Sequence, residues 1–171
     1  MQRHPEIGML SAATETAQGI QAEQYYHRWT GLLFRKYVRG SFLCLGGHCL
    51  LIRSEAIGKE LYNPRYFMYG EDIELNWKLA QQGWKLAVLP EVLLRHEASS
   101  SSENGSYFYE YHINRWHILI VRAVGKNSLE QLLMYTLRLP LLMLRATMRS
   151  WRLRRLTPLK ALTSAYYSGI E

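Results

Sequence analysis

The residues best suited to chemistry are three acids close together in the chain, Glu71, Asp72 and Glu74. An ionised carboxylate can take a proton from a substrate hydroxyl, so one of them could act as a general base. Thirteen of the fourteen acids are glutamates, and Asp72 is the only aspartate. That count excludes an Asp-x-Asp metal site, an aspartic dyad and an EF-hand loop from this sequence, because each needs further Asp or Asn residues.

The acidic cluster has two interpretations, and the residues alone leave both open. It stands at the start of a predicted helix over residues 75–82, where the positive end of the helix dipole stabilises carboxylates, and Gly83 is a typical stop. The cluster could therefore be only a helix cap and a solvated acidic turn. Alternatively, one of the carboxylates could be a base at the mouth of a pocket, where the aromatic loop at residues 64–70 forms an apolar wall and limits water. The neighbouring acids would then keep the pKa of that base from being fully lowered.

Two short buried strands are predicted ahead of this cluster, at residues 41–45 and 49–52, on either side of Gly46 and Gly47. The glycine pair indicates a bend or bulge at which another group can approach the backbone closely. Ser54 is expected to cap a short helix after the second strand.

The pattern elsewhere in the first hundred residues is less regular. Residues 1–30 show neither alternation nor a clear helical period, so a loop with helical patches is expected. Residues 84–89 alternate and end at Pro90, so a strand, a turn and a second short strand up to His96 are predicted. Residues 99–105 are expected to form a polar loop.

The rest of the chain is predicted to be helical. One helix covers residues 107–122, and a second follows a break at Gly125, with a capping box formed by Ser128 and Gln131 and an interruption at Pro140.

The order of these elements predicts the class and the domains. Strands and helices alternate in the first part and helices alone follow, which favours an α/β core with a helical, basic extension. We place the core at residues 1–105 and the extension at residues 106–171.

Most of the excess positive charge lies in the helical part. Residues 1–121 hold 12 basic and 12 acidic side chains, whereas residues 122–160 hold nine basic side chains and one acid, Glu130. Large apolar residues lie among these arginines at irregular helical spacing, which is typical of a helix in the headgroup layer of an anionic membrane. A helix packed on the protein with a solvated basic face is the alternative. Nucleic acid is not expected as a partner, since no motif for it is present.

Two further features limit the class of protein. Cys44 and Cys49 are expected to stay reduced, since the first ten residues do not read as a secretory leader. A simple transmembrane span is not expected, because Arg122, Arg138 and Arg145 interrupt the best apolar stretches before they reach about 18 residues.

A larger pattern between residues 40 and 102 resembles the family 2 glycosyltransferases, in particular the bacterial rhamnosyltransferase-like members. It consists of an aromatic loop that runs into an acidic helix start, a helix that stops at glycine, a strand that stops at proline, and a histidine ahead of a serine-rich loop. In this sequence these motifs are Phe67-Met68-Tyr69-Gly70-Glu71-Asp72, Glu74-Leu75, Gly83, Pro90 and His96. The glycine pair and the later stretch Arg53-Ser54-Glu55-Ala56 are also similar to the family's.

The resemblance implies an incomplete GT-A-like, doubly wound core and an inverting sugar transfer. The donor would be a nucleotide sugar, such as that of rhamnose, and the acceptor a polysaccharide or a lipid-linked glycan of cell-surface polysaccharide biosynthesis. Asp72 would be the catalytic base, which takes the proton of an acceptor hydroxyl as its oxygen attacks the anomeric carbon. The resemblance also implies that Glu71, Gly46, Gly47 and Tyr69 contribute to acceptor binding.

A metal ion and a second half of the protein are implied as well. In the family a divalent metal, Mg²⁺ or Mn²⁺, balances the leaving diphosphate, and His96 would face it. The alternative to this metal-facing role is an imidazole that is only packed in the protein or exposed to solvent, which is the default for a histidine at a strand end. The family's Asp-x-Asp half is missing from this sequence, so neither firm metal binding nor turnover is expected from this chain unless a separate polypeptide supplies that half.

Two functions remain open at this point. The first is a truncated or split glycosyltransferase, cytoplasmic and peripheral on the inner face of the plasma membrane. The second is a non-catalytic, membrane-associated remnant or binding module.

Overall fold

The computed structural model describes residues 1–17, 19–58, 60–96 and 103–170. These residues form two compact units. The sheet unit comprises Met1–Arg28, Leu32–Arg65 and Glu71–Ala98, and the helical unit comprises Trp29–Gly31, Tyr66–Gly70 and Ser99–Glu171. Sheets and helices together confirm the predicted α/β class. The division into residues 1–105 and 106–171 stays a prediction.

The larger sheet of the sheet unit is built around β1 (Ile7–Thr16). Along one edge β1 pairs in parallel with β7 (Lys85–Arg95). Along the other edge it pairs antiparallel with β2 (Gly19–Gln21) and β6 (Leu51–Ile52). The strand is therefore bordered by neighbours on both edges, and everything in this sheet is positioned relative to it.

The prediction that residues 1–30 form a loop with helical patches is wrong. β1, β2 and β3 (Gln24–His27) lie within this segment. β1 is buried at Gly8, Met9 and residues 11–14, so both of its faces are covered. A strand buried on both faces carries no alternation of apolar and polar residues. The buried run is mostly Ser and Ala, which lack the β-branched signal of a strand.

The prediction of two strands separated by a turn at Pro90 is also wrong, since β7 runs through this proline without a break. The register with β1 shifts there, because the neighbours Ala12 and Ala13 pair with Leu89 and Val92. The two residues in between form a bulge. Proline has no N–H to give to a ladder, and a bulge lets the strand continue past it.

A second, antiparallel sheet places β3 between β4 (Leu33–Phe34) and β5 (Ser41–Cys44). β5 and β6 confirm the two short strands predicted around the glycine pair. Ser54–Ala56 forms a single 3₁₀ turn, and no side chain caps it, so the expected cap by Ser54 is wrong.

The first helix, α1 (Glu71–Gln81), begins four residues before the predicted start and includes the acidic cluster. Gly83 follows with φ +87°, a left-handed conformation that suits glycine and confirms the predicted stop. Five buried side chains from β1, the end of β5, the 3₁₀ turn and α1 form the core of this unit: Met9, Leu45, Ala56, Leu75 and Leu79.

The helical unit contains α2 (Tyr107–Val124), α3 (Ser128–Leu153) and α4 (Thr157–Ile170). They pack around five buried side chains: Ile118, Leu142, Ala146, Leu162 and Ala165. Within the residues that the structure describes, no helix has both the length and the apolar content needed to cross a membrane.

Two details of α3 differ from the prediction. Its N-cap is Asn127, whose side chain accepts from the Glu130 N–H at 2.9 Å, and not Ser128. The helix also continues through Pro140. Pro140 has no N–H to donate to the carbonyl of Thr136, four residues earlier. Both residues are on the exposed side of the helix, where water can bond to that carbonyl.

Three of the four basic residues of α3 turn into the helical unit, whereas Arg152 is exposed. Glu110 of α2 is completely buried and accepts from Arg145 Nη1 at 3.0 Å and from Arg149 Nε at 2.6 Å. Arg138 is 2% exposed and donates to the backbone carbonyls of Trp29 and His117, each at 3.1 Å. These three arginines satisfy buried acceptors, so the expectation that the tail's arginines face lipid headgroups is wrong for them.

Replacing Glu110 by alanine should lower the free energy of unfolding by about 3 kcal/mol, because two arginines lose their counter-charge. This loss of stability is at the lower end of the range expected for a broken buried ion pair, since the side chains of Arg145 and Arg149 are 26% and 22% exposed. Urea denaturation followed by circular dichroism measures it. Glu103→Ala, at an exposed acid just before α2, is the control and should change stability by less than about 0.5 kcal/mol. Equal losses in both variants would contradict the prediction.

Candidate active site

The Asp72 carboxylate lies in the first turn of α1 and is held by two backbone N–H groups. Gly47 donates to Oδ2 at 3.1 Å, and Ile73 donates to Oδ1 at 2.8 Å. A carboxylate has about four lone-pair positions, so each oxygen keeps one for a further proton donor. The group is therefore oriented and can still accept a proton.

The two glycines ahead of β6 are in close contact with functional side chains. A Cβ at Gly47 would lie 3.4 Å from Asp72 Cβ, which leaves little room for a larger residue. A Cβ at Gly46 would lie 2.6 Å from Cε1 of His48, so that ring would have to move. The groups that approach this backbone are thus the carboxylate and an imidazole of the same unit.

Asn76 fixes the end of β5 against α1. It is completely buried. Its Oδ1 accepts from Leu45 N at 2.8 Å, and its Nδ2 donates to Leu45 O at 2.9 Å and to Asp72 O at 2.7 Å. The side-chain amide pairs with both backbone groups of one residue, as a neighbouring strand would. This pairing places the glycine loop within reach of the Asp72 carboxylate.

Replacing Asn76 by leucine should lower the free energy of unfolding by about 2–4 kcal/mol, because the N–H and the carbonyl of Leu45 lose their partners in the core. The measurement is urea denaturation at neutral pH. Gln81→Leu adds the same side chain at an exposed position of the same helix, and it should stay within about 0.5 kcal/mol of the parent chain. A cost below 1 kcal/mol for Asn76→Leu would show that the amide does not hold the loop.

Burial raises the pKa of Asp72 above its ordinary value, and it does the same to the pKa of Glu71. For Asp72 the backbone N–H groups of Gly47, of Ile73 and of Asp72 itself oppose this rise, as does the charge of His48. The neighbouring Asp72 charge adds to the rise at Glu71, whose Oε2 is buried without a hydrogen bond. Both groups are therefore somewhat stronger bases than free carboxylates.

This shift predicts the sign of a pH effect on stability. The folded chain holds the Asp72 proton more tightly than the unfolded chain, whose pKa is near 3.8. The contribution of Asp72 is therefore greatest below pH 3.8 and is lost as the pH rises through the folded-state pKa. Asp72→Asn removes this dependence, so the variant should gain stability relative to the parent chain from about pH 4 towards neutrality.

Urea denaturation of both chains at a series of pH values checks this difference. Glu15→Gln, at an exposed carboxylate of β1, is the control for general pH effects. A difference between parent and Asp72→Asn that stays flat, or that falls with rising pH, would contradict the raised pKa.

Two histidines stack beside this carboxylate. The rings of His48 and His96 lie 4.8 Å apart at an angle of 16°. His48 Nε2 is 2.8 Å from Thr14 Oγ1, and that hydroxyl donates to the Ala12 carbonyl at 3.2 Å. The threonine hydroxyl therefore connects the imidazole to the backbone of β1 and holds the ring in place. Burial and His96 lower the pKa of His48, while Asp72 opposes the shift.

His48 is not among the residues predicted from the sequence. Its only local signal is that it directly follows the glycine pair, and a single histidine has no period that would mark it. Thr14, which orients it, is 34 residues away on β1, within the segment that the sequence predicts as loop. Only the pairing of β1 with its neighbours brings these residues together.

The described residues do not form a metal site. Within residues 1–17, 19–58, 60–96 and 103–170, no three His, Cys, Asp or Glu side chains gather as a ligand set. His96 lies against His48 at the end of β7, and its role as a ligand stays a prediction. The predicted serine-rich loop at residues 99–102 lies outside the described residues.

Tyr69 belongs to the helical unit, whereas Asp72, Glu71 and the glycine pair belong to the sheet unit. Its ring packs edge-on against Tyr109 at 5.7 Å, and its φ is +65°. A tyrosine in this left-handed conformation is strained and needs support from its surroundings. The structure thus assembles the predicted acceptor residues of the sheet unit and gives Tyr69 a separate packing role.

Comparison with known proteins adds the family. The model of a family described as glycosyltransferase like family 2 matches residues 7–118, more than half of the chain. The chain belongs to this family. The match includes the glycine pair, His48, Asp72 and His96, and it ends within α2. The resemblance stated from the sequence is confirmed.

Two relatives are longer proteins. They are the N-acetylglucosaminyl-diphospho-decaprenol L-rhamnosyltransferases of Mycobacterium tuberculosis strains CDC 1551 / Oshkosh and ATCC 25618 / H37Rv. Each is 34% identical to this family member over 120 residues, which is 66% of this chain and 38% of the relative. The chain thus spans well under half of their length. No solved structure matches it.

Proposed function

We propose that this chain is the acceptor-side part of an inverting glycosyltransferase. It would transfer a sugar from a nucleotide sugar to a glycan or a lipid-linked acceptor. The observation that carries the proposal is the Asp72 carboxylate, oriented by the N–H groups of Gly47 and Ile73 within the segment that matches the family.

In the proposed reaction Asp72 takes the proton of an acceptor hydroxyl. As the O–H bond breaks, the acceptor oxygen forms a bond to the anomeric carbon, and the bond from that carbon to the diphosphate oxygen breaks on the opposite face. The diphosphate leaves with the electron pair. A base with a raised pKa suits this step, because it binds the transferred proton more firmly than a free carboxylate does.

Other residues of the sheet unit would support the acceptor. Gly46 and Gly47 would contact the acceptor through the loop backbone, since the His48 ring and Asp72 already lie against these glycines. Glu71 brings a buried oxygen without a hydrogen bond, which an acceptor hydroxyl can supply. We keep Tyr69 as an acceptor contact only as an expectation from the family.

The proposal includes a divalent metal, Mg²⁺ or Mn²⁺, in the complete enzyme. The described residues do not provide its ligand set, so no step of the reaction is assigned to it here. Further ligands and the nucleotide site would come from another segment or a separate polypeptide, with His96 as one contributor from this chain. This agrees with the short share of the relatives' length that the chain spans.

Rhamnose and a polyprenyl-linked acceptor are the preferred substrates, because both relatives are named as N-acetylglucosaminyl-diphospho-decaprenol L-rhamnosyltransferases. Such an acceptor belongs to cell-surface polysaccharide synthesis and is held in a membrane, so we place the chain on the cytoplasmic face of the plasma membrane. The alternative function is a membrane-associated remnant or binding module without catalysis.

Transfer of labelled rhamnose from its nucleotide sugar to a short-chain polyprenyl-diphosphate N-acetylglucosamine tests the proposal. The chain is assayed alone and with the unmatched part of a mycobacterial relative added as a separate polypeptide. Asp72→Asn should lower the transfer rate at least 100-fold, the range expected for loss of a general base. Glu74→Gln, at a neighbouring acid that bonds to Asn63, is the control and should retain the rate within about threefold.

Each outcome separates the hypotheses. Transfer that survives Asp72→Asn would exclude this carboxylate as the base. Acceptor binding without transfer in either mixture would favour a binding module, and the absence of both would favour a remnant.

A further inference from the structure

The outer side of α3 is apolar although the helix is rich in arginine. Eight large apolar side chains between residues 129 and 151 are 46% to 85% exposed. We call them the outer stripe: Leu129, Leu132, Leu133, Leu137, Met143, Leu144, Met148 and Trp151. The exposed residues interspersed among them are Thr136, Pro140 and Thr147, which carry no charge. The stripe is about 33 Å long at 1.5 Å per residue.

This arrangement is the reverse of an ordinary surface helix. Such a helix buries apolar residues and turns charged ones to water. In α3 the arginines at 138, 145 and 149 face inward, to Glu110 and to backbone carbonyls. An apolar surface of this extent is typical of an interaction site.

Positive charge borders the stripe at its C-terminal end. Arg152, Arg154 and Arg155 are all exposed and directly follow Trp151, the most exposed residue of the stripe. Lys126 is exposed at the other end, just before the helix. The chain has no acidic residue between positions 131 and 170. A surface that joins uncharged apolar residues, a tryptophan and basic residues is complementary to an anionic bilayer interface.

We propose that the outer stripe lies in the boundary between headgroups and acyl chains of an anionic membrane, with Arg152, Arg154 and Arg155 on lipid phosphates. A second copy of the chain suits this surface less well, because its stripe would offer no acid to these arginines. The proposal does not depend on sugar transfer, since it concerns residues beyond the family match.

A recess beside the stripe fits the same partner. It has a volume of about 140 Å³ and is lined in part by the exposed residues Leu132 and Thr136, with Leu139 and Leu142 deeper inside. Its lining is largely apolar, so part of an acyl chain can enter it without leaving a polar group unpaired.

Flotation of the full chain with vesicles of phosphatidylcholine and phosphatidylglycerol tests the proposal. The combined variant Leu144→Gln, Met148→Gln and Trp151→Gln should weaken binding at least tenfold, since binding scales with the apolar area that enters the interface. The control variant is Ile20→Gln, Leu51→Gln and Leu93→Gln, at exposed apolar sites of the sheet unit. It should bind the vesicles within about twofold of the parent chain.

The charge is tested separately. Changing Arg152, Arg154 and Arg155 to glutamine should weaken binding to anionic vesicles at least tenfold and have little effect on pure phosphatidylcholine vesicles. The control makes the same charge change at Arg35, Lys36 and Arg39, which are exposed in the sheet unit, and should cost no more than about threefold. Circular dichroism checks that each variant is folded, and Trp151→Gln alone serves if the triple variant is not.

Several results would overturn the proposal: a parent chain that does not float, a stripe variant that binds like the parent, or control variants that lose as much binding. Sedimentation of the parent and the stripe variant identifies the competing partner. A dimer that does not bind vesicles and that dissociates in the stripe variant would show that a second copy covers this face.

Discussion

The candidate site depends on one buried amide that joins a strand end to a helix start. Asn76 pairs with both backbone groups of Leu45 and with the carbonyl of Asp72. An aspartate there could not donate to the two carbonyls, and an apolar residue would leave both Leu45 groups without partners in the core. Because the amide fixes the distance between Leu45 and the start of α1, the N–H of Gly47, three residues beyond β5, reaches the Asp72 carboxylate.

The electrostatics of the site are a balance between burial and hydrogen bonding. Burial disfavours an ionised Asp72, while three backbone N–H groups and His48 favour it, and the net effect is a raised pKa. A carboxylate whose burial is fully compensated by hydrogen bonds would be a weaker base. Thr14 of β1 is hydrogen-bonded to His48 Nε2. β1, where the family match begins, therefore also orients the imidazole beside the carboxylate.

Local patterns predicted the parts of the fold that local chemistry determines. The acidic helix start, the stop at Gly83 and the glycine break between two strands depend on backbone conformation and nearby charge, and the sequence shows them. β1 was missed because burial on both faces removes its alternation. The role of His48 and the inward arginines could not be predicted, because their partners are distant in sequence: Thr14 lies 34 residues from His48, and Glu110 lies 35 residues from Arg145.

The inward arginines explain how a basic helix can have an uncharged outer face. An arginine held in the acyl region of a bilayer costs about 2.5–3.5 kcal/mol on insertion scales. Arg145 and Arg149 avoid that cost because they bond to the buried carboxylate of Glu110 inside the helical unit. Arg138 avoids it because it donates hydrogen bonds to two backbone carbonyls. The same side chains would also cost stability if buried without partners. Glu110 on α2 therefore stabilises the helical unit, and it also keeps the charges of Arg145 and Arg149 away from the outer stripe.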